Sequence, residues 1–85
     1  MAYTIEFAAS ALREFKALER ATQRRVATRI DALANNPFPV GVKKLQGETD
    51  LYRIRIGDYR VLYRVDGKRL IIVILKVGHR RDVYR

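Results

Sequence analysis

Residues 52–64, YRIRIGDYRVLYR, place two short strand-like runs on either side of Gly57-Asp58 and gather four arginines into thirteen positions. A two-residue loop sets the register of the strands that it joins. With Gly57-Asp58 as that loop, Ile56 faces Tyr59, Arg55 faces Arg60, Ile54 faces Val61, Arg53 faces Leu62 and Tyr52 faces Tyr63. Side chains alternate along a strand. Tyr52, Ile54, Ile56, Tyr59, Val61 and Tyr63 therefore share a core surface, while Arg53, Arg55, Arg60, Leu62 and Arg64 share a cationic one. Like charges directly opposite each other on a sheet cost about 0.2–1 kcal/mol, so folding alone does not call for Arg55 opposite Arg60. An anion between them reverses the sign, and the planar fork of arginine matches a phosphodiester. The competing reading is a solvated face whose charges spread apart on flexible stems. The hairpin by itself weighs the two equally.

Working outward, the runs 51–56, 59–65 and 70–77 read as a three-stranded antiparallel meander whose second turn lies at Asp66-Gly67. The run LIIVIL, 70–75, is apolar at every position, which suits a central strand. Upstream, PFPVGVKKLQGETD, 37–50, is rich in turn formers, with a short strand expected around 42–45. Two helices precede it. Ala8, Ala11, Leu12, Phe15 and Leu18 recur at helical spacing up to about Arg20, and Thr22 is the expected N-cap of a second helix with the stripe Val26, Ile30 and Leu33. Asn35-Asn36-Pro37 stops that helix, and AYTIEF, 2–7, alternates as a short strand. The predicted fold class is α+β: a short N-terminal strand, a two-helix hairpin, then an antiparallel sheet of three to four strands, in a single domain over residues 1–85.

Composition bounds what such a domain can do. The chain has 85 residues, 48% of them hydrophobic, enough for one modest core. It has no cysteine, which excludes disulfides, zinc–thiolate sites and thiol nucleophiles. Neither a membrane-length apolar run nor a secretory start is present, so a cytoplasmic protein without a membrane partner is expected. The formal charge is +9. It is uneven: residues 43–85 hold 12 basic and 5 acidic residues, residues 1–42 only 6 and 4. Such a field favours nucleic acid, anionic membrane or an acidic protein, and charge alone leaves all three open.

The tail, GHRRDVYR, adds His79, Arg80, Arg81, Asp82, Tyr84 and Arg85. Antiparallel pairing brings it out near the Arg55–Arg60 end of the hairpin. His79 is the sole histidine, either an exposed residue or a general acid–base group. Tyr84 is either a packing aromatic or a phenol made more acidic by neighbouring cations. The nine carboxylates show no metal-ligand spacing, and neither a phosphate loop nor a Gly-x-Ser-x-Gly turn occurs, so neither metal nor cofactor is expected. RNA offers one route that needs no metal and no protein nucleophile, attack of the 2′-hydroxyl on the adjacent phosphate. It requires a base, a proton donor and cations for the growing phosphorane charge.

The order of these elements, with KKLQG at 43–47, YRIRIGDYRVLYRV at 52–65 and VGHRRDVYR at 77–85, resembles the RelE toxins of bacterial and archaeal toxin–antitoxin systems over nearly the whole chain. The resemblance implies a ribosome-dependent mRNA interferase that cuts the messenger in the ribosomal A site. It implies Arg53 and Arg55 as holders of the messenger backbone, Arg60 as stabiliser of the transition state, Arg80 on the leaving-group side and Tyr84 as base. Lys43, Lys44, His79 and Arg81 complete the expected RNA-binding set, with Arg81 the alternative to Arg80. The best-known members carry lysine where this chain has Arg53 and Arg55, and arginine cannot share a proton as lysine can. The partners implied are the ribosome, mRNA and a cognate RelB-like antitoxin, with operator DNA bound only through the antitoxin. The related ParE toxins, which act on DNA gyrase, and a non-catalytic nucleic-acid or ribosome-binding module are the alternatives.

Overall fold

The computed structural model describes residues 2–47 and 49–83, with Asp82 and Val83 described by their backbone alone. In chain order it runs β1 (Thr4–Phe7), α1 (Ala9–Lys16), α2 (Arg20–Leu33), β2 (Lys43–Lys44), β3 (Leu51–Ile56), β4 (Tyr59–Asp66), β5 (Ile71–His79) and α3 (Arg80–Val83). The five strands form one sheet in the order β1-β5-β4-β3-β2.

The hairpin register is the expected one, from Tyr52 opposite Tyr63 to Ile56 opposite Tyr59. Gly57 takes a φ of 60°, the positive value that a II′ loop requires at its first residue. The sheet is larger than expected and mixed, because β1 pairs with β5 in parallel, Ile5 beside Ile72 and Phe7 beside Ile74. A parallel neighbour needs a crossover, and the two helices supply it. β5 starts at Ile71 because Leu70 sits in the left-handed region at φ 57°. The expected strand around 42–45 shrinks to two residues paired with Arg53 and Tyr52.

Both helices cover one face of the sheet, α1 packing on β5 and β1 and α2 on β3. Val26, Ile30 and Leu33 are fully buried against Ile54, Val61, Tyr63, Ile72 and Ile74. Each such aliphatic side chain contributes about 1.5–3 kcal/mol. The helix boundary moves from the expected one: α1 ends at Lys16, and Glu19 rather than Thr22 caps α2. Glu19 makes no side-chain cap bond; instead the Gln23 side-chain amide donates to the Phe15 carbonyl at 3.1 Å and fastens the turn. Leu12, placed on the apolar stripe, is 36% exposed.

One irregularity re-phases β5. Tyr63 pairs with Ile74 but Leu62 with Lys76, so Leu75 is an extra residue. A bulge of this kind shifts side-chain alternation. The buried positions consequently run Ile72, Ile74 and then Val77. Beyond the bulge, Gly78 shares the outer face with Arg60, and His79 shares the helix-covered face with Tyr59.

Candidate nucleic-acid interface

The outer face of the hairpin carries Arg53, Arg55, Arg60 and Arg64, but these are not four equivalent surface charges. Arg55 and Arg64 are exposed, whereas Arg53 keeps 8% of its surface and Arg60 only 7%. The reading of a uniformly solvated face therefore does not hold for Arg53 and Arg60. Arg60 lies between Arg55 on β3 and Gly78 on β5. Its Nη1 donates to the Tyr59 carbonyl at a long 3.4 Å, and its buried Nε has no hydrogen-bond partner among the described residues. A buried charge with an unsatisfied donor is costly to the fold.

The start of the tail is tied to the hairpin loop. The Arg80 backbone N–H donates to the Asp58 carbonyl at 2.8 Å, extending the β4–β5 ladder by one step before α3 begins. Arg80 and Arg81 are exposed there. The His79 ring meets Tyr59 edge-on with centroids 5.6 Å apart, and its Nδ1 accepts the Arg81 backbone N–H at 3.3 Å. The structure thus brings Arg53, Arg55 and Arg60 together and starts Arg80 and Arg81 beside them. His79, by its register with Tyr59, belongs to the opposite face and braces α3. Lys43 pairs with Arg53 and joins the cationic side; Lys44 pairs with Tyr52 and does not. Tyr84 lies outside the described residues.

At the β3 edge of this face lies a cleft of about 310 Å³ lined by Arg29, Val40, Gly41, Lys43, Arg53 and Arg55. The rim is set from below by Tyr63. Its wholly buried hydroxyl donates to the Pro37 carbonyl at 2.6 Å, and burial, then the neighbouring Tyr52, push the phenol well above its ordinary range. That bond anchors the connection that carries Val40 and Gly41. Arg29 had no role in the sequence reading. Its signal was present in the pairing of Arg25 and Arg29 four residues apart beside the Val26–Ile30 stripe, a border position that faces the sheet edge. Among the described residues no cluster of three or more His, Cys, Asp or Glu side chains could hold a metal ion, and no helix is long and apolar enough to cross a membrane.

Residues 5–84 match the family described as the ParE toxin of the type II toxin–antitoxin system parDE. The chain belongs to the RelE/ParE toxin superfamily. The toxin is 35% identical to the toxin RelG of Mycobacterium tuberculosis, with 100% of this chain and 99% of the relative aligned. It is 27% identical to the mRNA interferase toxin RelE of Escherichia coli, over 99% of this chain and 92% of that one. The solved RelE–RelB complex of Pyrococcus horikoshii superimposes with a TM-score of 0.83 at 36% identity, covering 98% of the toxin and 100% of the archaeal chain. The five-stranded sheet and helix pair of the toxin are thus those of RelE structures.

Proposed function

We propose that this toxin is a ribosome-dependent mRNA interferase, cutting messenger in the A site of cytoplasmic ribosomes by 2′-hydroxyl attack. The observation that carries the reading is the buried Arg60 guanidinium, opposite Arg55, with a donor left unmet by the described residues. A pentacoordinate phosphorane has more negative charge than the phosphodiester it comes from, and pre-positioned donors in a dry site stabilise that difference. In this mechanism the 2′-oxygen bonds to phosphorus, its proton passes to a base, and the 5′-oxygen leaves and is protonated. A 2′,3′-cyclic phosphate and a 5′-hydroxyl result. Arg53 and Arg55 hold the messenger backbone, Arg60 meets the phosphorane, Arg80 or Arg81 faces the departing oxygen, and Tyr84 serves as base. No step needs a cofactor.

The partner proposed for the resting state is a RelB-like antitoxin, supported by the RelE–RelB assembly of the Pyrococcus neighbour. A +9 chain suits an acidic, amphipathic segment that covers the arginine face. The family description favours one rival, gyrase inhibition. A gyrase inhibitor has no use for Arg60 and the tail arginines as a group, and the full-length resemblance to a named mRNA interferase favours cleavage. Mapping messenger 5′ ends in a translating extract separates the two: codon-internal cuts lost in Arg60→Ala support the interferase, whereas gyrase-linked DNA breaks with intact messenger overturn it.

A further inference from the structure

Four cations from three separate elements converge on the cleft at the β3 edge: Arg29 from α2, Lys43 from β2, and Arg53 and Arg55 from β3. Among the described residues no lining side chain is acidic, and Arg29, Lys43 and Arg55 form no ion pair. The like charges of Arg29, Lys43 and Arg55, gathered in this way, raise the free energy of the folded chain, and an anion seated between them lowers it. The other described lining residues, Val40 and Gly41, are uncharged. Val40 is wholly exposed, and Gly41, at φ 90°, has open space where a side chain would stand. Cations on one side and an apolar shelf on the other suit a phosphate that carries a nucleoside better than a bare inorganic anion.

The cleft is linked to Arg60 through one shared neighbour. Arg55 belongs to both, lining the cleft and standing opposite Arg60 one strand away, a spacing of about 4.8 Å. Arg53, two residues along β3, is about 7 Å further from that end. A row of cations along one strand edge can meet more than one linkage of a single RNA chain. We propose that Arg29 closes a second phosphate subsite, with Lys43, Arg53 and Arg55, for the messenger linkage next to the one that is cut. The subsite rests on the RNA reading above and adds a helix residue to a binding surface otherwise made of strands.

The test measures binding to ribosomes programmed with a messenger whose A-site codon carries 2′-deoxy sugars, which removes the nucleophile. Arg29→Ala weakens binding by about 5- to 10-fold and flattens the slope of log affinity against log salt by about 0.7, the loss of one phosphate contact on a single strand. Arg29→Lys recovers part of both, and the control Lys16→Ala, an exposed α1 cation outside the cleft, changes neither. Arg29→Ala binding with wild-type affinity and slope overturns the subsite. An Arg29 effect that persists in full on ribosomes without messenger assigns the phosphate to ribosomal RNA and overturns the messenger assignment. Cleavage of unmodified messenger is scored in parallel at limiting toxin. Normal cleavage by Arg29→Ala sinks the subsite and leaves the interferase standing; Arg29-dependent binding without any wild-type cleavage does the reverse. A wild type that neither binds nor cuts removes both.

Discussion

Arg55 and Arg60 stand directly opposite each other across the β3–β4 ladder, the first exposed and the second 7% exposed. Arginines on opposed backbone positions put like charges on neighbouring strands, a repulsive arrangement whose relief separates stability from function.

Arg55→Gln removes the repulsion and keeps the strand. Stability is expected to rise by about 0.2–1 kcal/mol at low ionic strength and the gain to shrink as salt is added, because the charge lost is exposed and screened. Urea denaturation at two salt concentrations measures it. The same variant binds programmed ribosomes more weakly than wild type; a stability loss together with unchanged binding would refute the pairing argument.

Arg60 is the stronger test because its charge is buried. Replacing a buried charged group with an apolar one of similar length is often stabilising, by about 1 kcal/mol or more, so Arg60→Met is expected to unfold at higher denaturant than wild type. Losing a donor aimed at the transition state costs on the order of 10²–10³ in rate. Single-turnover cleavage on saturating ribosomes should fall by that factor while affinity changes little. A cleavage rate within a few-fold of wild type would remove Arg60 from the chemistry.

Tyr63→Phe deletes the 2.6 Å bond to the Pro37 carbonyl and leaves that acceptor unmet, at about 1–3 kcal/mol. It also alters behaviour in alkali. Burial raises the Tyr63 phenol above its unfolded value of about 10, so the unfolded chain releases this proton first. The stabilising contribution is complete below pH 10 and is lost as pH rises, at about 1.4 kcal/mol per pH unit for this group. Denaturation at pH 8 to 11.5 should therefore show a steeper alkaline decline for wild type than for Tyr63→Phe, and parallel curves would contradict the buried-phenol argument.

His79 braces α3 through Nδ1 and its edge-on contact with Tyr59. As a brace, it can be replaced by another short acceptor. His79→Asn is expected to retain cleavage within about threefold, and His79→Leu to lower it by about tenfold through a looser α3, a loss worth about 1.4 kcal/mol of barrier. The pH–rate profile of His79→Asn should keep the wild-type limbs. Disappearance of one limb would make His79 the proton carrier instead.

Much of this was legible in the linear chain because it depends on neighbours in sequence. Period-two alternation and a two-residue loop determined every cross-strand pair from Tyr52 to Tyr63, and hence the encounter of Arg55 with Arg60. Spacing of three and four placed Val26, Ile30 and Leu33 on one buried stripe. The helix caps were harder, since the turn is held by a contact between Gln23 and Phe15 that no local cap signal announces.

What only the tertiary structure decided is what distant segments do to one another. The parallel pairing of β1 with β5 joins residues nearly seventy positions apart, and β5 carries a bulge at Leu75 that moves His79 off the arginine face and sets Gly78 beside Arg60. No local pattern encodes either one, because an all-apolar strand permits both phases. Burial separates Arg60 from Arg55 although their sequence contexts are alike, and α2 brings Arg29 to the β3 edge. Sequence determined which side chains share a face within the hairpin; the fold decided the phase of β5 beyond its bulge and which faces are covered, and so which cations are buried and which stay exposed.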